Sequence, residues 1–259
     1  MTTLDWTQYT GNLPWLKDRT IFMTLSGSHA YGTNIETSDV DYRGVAIAPP
    51  EYYLGIAHKF EQAEVKVPDL TVFELRKFIQ LASQANPNIL EILFTDPADY
   101  ILPEPGKDAW NKYRLGQQLV NMRYLFVTKR ARATFAGYAH SQLKKISNGK
   151  EHSIPGSARY ERIEKFGYCT KNASHLVRLL KMCREILETE QVNVKRKDAA
   201  ELLAIRNGAW TLNELVEWAE NEDKELDLVC QKSMLPEQPD MKEIDRRCVE
   251  IMKEGLEWL

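Results

Sequence analysis

The sequence predicts an α+β protein in which strands come first and helices follow. Three observations carry this. Between residues 19 and 72 the chain holds several short β-branched runs, separated by glycine and proline. Residues 96–106 contain three prolines and a glycine, the composition of a domain boundary. Beyond them, apolar residues recur at helical spacing. The expected domains are therefore residues 1–105 and 106–259.

Taken in order, residues 5–18 read as an amphipathic lead-in with Trp6, Leu13 and Trp15 to bury. Residues 19–25 form the first strand and 33–37 a loop. Residues 39–48 form the second strand, stopped by Pro49 and Pro50. Residues 51–56 make a short helix or turn. Residues 59–67 alternate polar and apolar side chains, as a strand does; Pro68 interrupts the pattern and residues 69–72 resume it. Phe73, Phe78, Ile79, Leu81 and Ala82 are spaced for a helix over 73–85. Asn86 and Pro87 suit an N-cap and first helical position, so a second helix runs over 88–94. In the second half, helical patterns cover 107–145, 159–188, 197–207, 212–230 and 240–258. A loop at 148–157, a turn or short strand around Val192 and Val194, and a Pro-containing linker at 235–240 separate them.

At 43% hydrophobic and 27% charged, the 259 residues have the composition of a globular chain. No apolar run reaches membrane-spanning length, and residues 1–8 lack the basic-then-apolar pattern of a signal peptide. Four cysteines without a C-x-x-C pair read as reduced thiols, which points to the cytoplasm and away from a zinc site. The net charge of −3 hides an asymmetry: residues 1–110 carry −7, residues 111–200 carry +12, and residues 201–259 carry −8. Residues 111–150 contain no acid. Such a block is the footprint of a polyanion partner, or else of pairing with the chain's own acidic ends.

The chemistry concentrates at residues 25–47. Gly27 and Ser28 follow the first strand, where backbone N–H groups and a hydroxyl suit phosphate oxygens. Asp39 and Asp41 follow one loop later. Residues i and i+2 of a strand share a face, so two carboxylates would stand together and favour a hard cation, Mg²⁺ or Mn²⁺. A phosphate cradle beside metal carboxylates is equipment for work on a nucleoside triphosphate. The spacing does not fit an EF-hand, a P-loop, a dinucleotide fingerprint or a hydrolase elbow. A plain hairpin with turn-capping aspartates is the simpler alternative.

Gly27-Ser28-x-x-Tyr31-Gly32, followed by Ser38-Asp39-x-Asp41-x-Arg43-Gly44, resembles the DNA-polymerase-β-type nucleotidyltransferases, and in particular their RNA-ligase-associated bacterial and phage branch. Weaker likeness extends over residues 69–94, including Asn86-Pro87-Asn88 through Glu91, and over 165–180. The resemblance implies a mixed-sheet nucleotidyltransferase domain followed by a helical domain that completes the cleft. It implies transfer of a nucleoside monophosphate from a triphosphate to an acceptor hydroxyl, with two metals and release of pyrophosphate. The expected acceptor is an RNA 3′ end, such as that of a tRNA, in RNA repair. The rival readings are transfer of AMP to a protein or small-molecule hydroxyl, and a non-catalytic nucleic-acid-binding protein.

The resemblance calls for a third acid beside Asp39 and Asp41. Asp69 is chosen, ahead of Glu64 and Glu74. Lys171, His175 and Arg178, at i, i+4 and i+7 of a predicted helix, share a face and match the family's Lys-x-x-x-His-x-x-Arg helix, which implies a cationic clamp on the triphosphate; an exposed basic face is the alternative. His29 and Tyr31 are candidates for stacking on a base or for packing, and Arg43 for holding a phosphate or orienting Asp41. The basic residues of 111–150 are the expected RNA contact.

Overall fold

The computed structural model describes residues 13–66, 69–101, 109–147 and 153–258. A short helix α1 (Leu16–Arg19) leads into β1 (Thr20–Ser26), a one-turn helix α2 (Gly27–Tyr31) and β2 (Asp41–Ala46). After α3 (Glu51–Leu54) come β3 (Gln62–Lys66) and β4 (Asp69–Glu74), then α4 (Leu75–Ser83) and α5 (Pro87–Phe94). The remaining helices are α6 (Ala109–Asn121), α7 (Arg130–Ser147), α8 (Ala158–Phe166), α9 (Thr170–Thr189), α10 (Ala199–Arg206), α11 (Leu212–Lys232) and α12 (Met241–Trp258). The protein is α+β, as its sequence predicts. Among the described residues, no helix is long and apolar enough to cross a membrane.

The strands form one mixed sheet in the order β1-β2-β4-β3. β1 pairs antiparallel with β2, β2 parallel with β4, and β3 antiparallel with β4. Two strand expectations change. Residues 39 and 40 lie outside the second strand, because β1 ends at Ser26, the partner of Asp41, and offers them nothing to pair with. Residues 59–72 form two antiparallel strands, not one interrupted strand; the prolyl break at 68 lies outside the described residues. The helical pattern of 159–188 is split at Gly167, whose φ of 81° is left-handed and ends α8. Val192 and Val194 are buried in irregular chain.

The chain folds as two compact units. Unit 1 contains residues 1–84, 88–126 and 239–259; unit 2 contains 85–87 and 127–238. The boundary expected at 105/106 lies outside the described residues. One sheet face of unit 1 buries Met23, Tyr42, Leu70 and Val72 beneath Leu16, with Trp15 and Phe60 packed alongside. On the other face α6 packs against β1 so closely that a Cβ on Gly116 would lie 2.3 Å from the Ile21 carbonyl oxygen. α12 packs on α4 and α6, and a Cβ on Gly255 would meet the Ile47 side chain at 2.2 Å. In unit 2, α9 is the central helix and packs against α7, α8, α10 and α11. Leu176, Val177, Leu180, Cys183 and Ile186 form its buried stripe.

Gly116 supplies a stability test. Glycine to alanine inside an exposed helix normally stabilises by about 1 kcal/mol. Here the new methyl would strike backbone that cannot rotate away, so Gly116→Ala is expected to destabilise by about 1–3 kcal/mol, the usual cost of overpacking. Urea unfolding measures it; an unchanged or raised midpoint would show that α6 and β1 are not this close together.

Candidate active site

The turn from β1 into α2 has room for glycine only. Ser26 is extended, and Gly27 follows at φ 62°, the left-handed region. A Cβ on Gly27 would fall 1.9 Å from Asp41 Oδ2. Gly27 thus lets the backbone turn and lets Asp41 lie against it. Ser28 falls in the single turn of α2, which ends at Gly32 with φ 72°. The Tyr31 hydroxyl is buried and donates to Glu91 of α5. This anchors the Gly-Ser turn to α5 and settles Tyr31 as a packing residue.

The strand register assembles the acids. Asp41 opens β2, Asp69 opens β4, and they are direct partners across the parallel pair. Their side chains therefore share a face, with strands about 4.8 Å apart. Arg43, next but one along β2, donates to Asp69 Oδ1 at 2.9 Å and to its own Tyr42 carbonyl at 2.8 Å. The sequence suggests that Arg43 orients Asp41 or holds a phosphate; its observed carboxylate partner is Asp69. Asp39 is exposed in the loop before β2. Glu64 lies on the edge strand β3 opposite Thr71 and accepts from Gln62. Glu74, at the far end of β4, is buried, caps α4 through the Lys77 N–H and accepts from the Tyr53 hydroxyl. Of the three candidates for third acid, Asp69 is the one in register with Asp41.

Two facing carboxylates with a third nearby in sequence are hard oxygen donors, and in donor chemistry they fit Mg²⁺ or Mn²⁺. Among the described residues, no three acid, histidine or cysteine side chains already form a closed cage.

In unit 2, Lys171, His175 and Arg178 lie on α9 and run from surface to interior. Lys171 is exposed, His175 partly buried, and Arg178 buried at 5% exposure, donating to the Met182 sulfur at 3.2 Å. His175 is pushed down to about 3, by burial first and then by Arg178, Lys171, Arg206 and Lys145. It is neutral at pH 7, so within the expected cationic clamp the charge falls to Lys171 and Arg178 and His175 is a neutral imidazole. Burial and Arg162 also lower Arg206. These neighbours concentrate positive charge around one ring.

The basic block is partly neutralised within its own units. Lys112 faces Asp18 at 4.0 Å and Arg114 pairs with Glu254 at 3.1 Å. In unit 2, Lys129 pairs with Glu237 at 2.7 Å, and Arg132 with Asp223 and Asp227, each at 2.9 Å. For these four, pairing with the acidic ends holds. In unit 2 it does so because α11 and the segment before α12 bring carboxylates to them. Arg132 and Lys129 are thus engaged in ion pairs within their own unit.

The match to known proteins agrees with this geometry. A β1–turn–β2 unit carrying Gly-Ser and Asp, with an acid in register on a parallel neighbour, is the layout of a polymerase-β-type nucleotidyltransferase domain. The chain belongs to the family described as RlaP, RNA repair pathway DNA polymerase beta family, whose model matches residues 12–250. The chain is also 32% identical over 83 residues to "Uncharacterized protein YcgL" of Bacillus subtilis (strain 168), an alignment covering 31% of this chain and 32% of that protein. The chain thus spans about a third of the length of this curated relative.

His175 gives an acid-stability prediction. Free histidine takes its proton near 6.5 and folded His175 only near 3. The stability of its neutral form is fully present above about pH 6.5 and is lost as pH falls toward 3, at up to about 1.4 kcal/mol per pH unit. Urea midpoints of His175→Gln between pH 7 and 4.5 should fall less steeply than those of the parent; parallel slopes would contradict the depressed value. A second prediction concerns Arg132: Arg132→Glu should lower the thermal midpoint by several degrees while leaving RNA affinity unchanged, measured on the same preparation.

Proposed function

We propose that the chain is a divalent-metal-dependent nucleotidyltransferase that moves a nucleoside monophosphate from a nucleoside triphosphate to the 3′ hydroxyl of an RNA. The observation that carries this reading is the register pairing of Asp41 with Asp69 beside Gly27. Family membership supports the RNA-repair setting.

In this reading, Asp39, Asp41 and Asp69 would hold the cation. When bound, the metal polarises phosphoryl oxygens and favours the deprotonated hydroxyl. The acceptor oxygen bonds to the α-phosphorus, the bond from that phosphorus to its bridging oxygen breaks, and pyrophosphate leaves with the electron pair. Asp69 is the group proposed to take the hydroxyl proton. Arg43 is then a positioning residue, fixing the Asp69 carboxylate and limiting its repulsion with Asp41. Gly27 and Ser28 are the proposed contacts for triphosphate oxygens, through backbone N–H and hydroxyl. In unit 2, Lys171 and Arg178 are the proposed phosphate contacts, the first as a point charge and the second as a planar fork. His175, being neutral, serves as a hydrogen-bonding group.

The test incubates the protein with each labelled triphosphate, Mg²⁺ or Mn²⁺, and RNA, DNA and protein acceptors. Asp41→Asn should lower transfer at least about a hundredfold at saturating metal, the scale of losing a group that acts in the transition state. Asp69→Asn should bind triphosphate nearly normally and transfer slowly, while Glu64→Gln stays near the parent. Near-normal transfer by Asp41→Asn would overturn the site. Label appearing on protein and not on RNA would overturn the acceptor.

A further inference from the structure

An open cleft of about 490 Å³ lies in unit 1, outside the carboxylate site. Its walls include Tyr100, Tyr113 and Tyr124, the carboxamides of Gln117 and Asn121, and the Arg123 guanidinium. Among the described residues that line it, none is acidic. Tyr113, Gln117 and Asn121 follow one another at intervals of four along α6, so a single helix stripe presents a ring and then two carboxamides.

Three features set this cleft apart. First, among the described residues the exposed large aromatic side chains are Trp110, Tyr113 and Tyr124, at 69%, 41% and 50%. Two of them line the cleft, and Trp110 stacks on Tyr113 with centroids 6.0 Å apart and planes 29° apart. The other large exposed hydrophobics are aliphatic and lie on other elements. Second, Arg123 lies over the Phe94 ring at 5.0 Å and the Tyr124 ring at 5.3 Å, so a planar cation is held among rings. Third, the buried Tyr100 hydroxyl faces the Arg123 guanidinium, which puts both polar groups in one wall of the cleft. Burial raises the hydroxyl above its ordinary value, with Arg123 opposing.

The position follows from the sheet. Tyr100 bridges Thr24 on the outer edge of β1, and its ring meets Phe22 edge-on at 5.1 Å. Phe22, Thr24 and Ser26 alternate onto one face, and Ser26 is the register partner of Asp41. The cleft therefore opens beside the face that carries Asp41 and Asp69. Two residues along β1 and two strand spacings place the Tyr100 backbone roughly 12 Å from that of Asp41. At about 3.4 Å per stacked nucleotide, this is the reach of a few nucleotides of single strand.

We propose that this cleft binds an unpaired nucleobase of the RNA acceptor, a few nucleotides inward of the reacting 3′ hydroxyl. The inference rests on the RNA-acceptor reading above and gives that acceptor a recognition site. Exposed rings offer stacking surfaces to any base, the guanidinium adds a planar cation, and each carboxamide carries both a donor and an acceptor for a base edge. The site selects single-stranded over paired ends, because a base inside a duplex cannot enter it. The carboxamides carry no charge, so their part in the affinity is insensitive to salt.

The experiment uses the full chain and an oligoribonucleotide with an unpaired 3′ tail carrying 2-aminopurine at successive positions from the end, compared with the same RNA made blunt by a complementary strand. In the parent, one tail position two to four nucleotides inward should show fluorescence quenching on binding, and the blunt RNA should bind more weakly. Tyr113→Ala should weaken tail binding about tenfold or more, the lower range for loss of one stacking ring, and abolish the quenching. Tyr113→Phe should restore both, because stacking needs the ring and not the hydroxyl. Gln117→Ala should weaken tail binding with the salt slope unchanged, a second readout should Tyr113→Ala fold poorly. Transfer to RNA by the parent, with both alanine variants binding the tail as the parent does, would overturn the cleft while the acceptor reading stands. No RNA binding or transfer by the parent would overturn both.

Discussion

The parallel pairing of β2 with β4 is the constraint on which the candidate site depends. It makes Asp41 and Asp69, 28 positions apart in the chain, immediate neighbours on one face. It also places Arg43 where its guanidinium reaches Asp69. Two carboxylates on adjacent strands repel, and the ion pair of Arg43 with Asp69 offsets part of that repulsion. Gly27 completes the arrangement by leaving the space that a side chain would fill, so Asp41 can rest against the turn. A register slip of one residue would turn both carboxylates into the apolar core formed by Tyr42 and Leu70. The buried residues that follow the acids on each strand therefore fix the register as firmly as the hydrogen bonds do.

The part of this site that is local in sequence is legible there. Gly27, Ser28, Asp39 and Asp41 stand within one β-turn-β stretch, and their spacing alone separates them from other phosphate and metal motifs. The α+β division is legible because strand and helix periodicities occupy different halves of the chain. What is not legible is set by distant pairing. The sequence pattern of 59–72 looks like one strand, because both halves alternate; only the sheet shows that the chain reverses. The Arg43–Asp69 pair depends on a neighbour across the sheet. The neutral state of His175 depends first on burial and then on surrounding cations, of which Arg206 and Lys145 lie outside its own helix.

The basic block shows the same limit from the other side. Read along the chain, residues 111–150 are an uninterrupted positive run. In the fold, Arg132 lies against Asp223 and Asp227 on α11, and Lys129 against Glu237. Arg184 joins the same helix through Glu222 at 2.7 and 2.9 Å. In unit 2 the acidic character of α11 is thus the counterpart of the basic character of α7 and α9. The charge asymmetry along the sequence is in part a record of which helices pack together.

The threading of the chain through its two units bears on how the protein is made. Unit 2 is almost one continuous stretch, residues 127–238, whereas unit 1 is gathered from pieces on both sides of it. Helix α12 packs on α4 and α6, with Gly255 against Ile47, and it leaves the ribosome after the other helices. The helical unit has all of its main segment available earlier and can fold first. The sheet that bears the carboxylates must wait, with the α12 side of its helices exposed, until residues 241–258 arrive. Completion of unit 1 is thereby tied to the emergence of that helix: a nascent chain lacking α12 holds Gly27, Asp41 and Asp69 but not the packing that closes their unit.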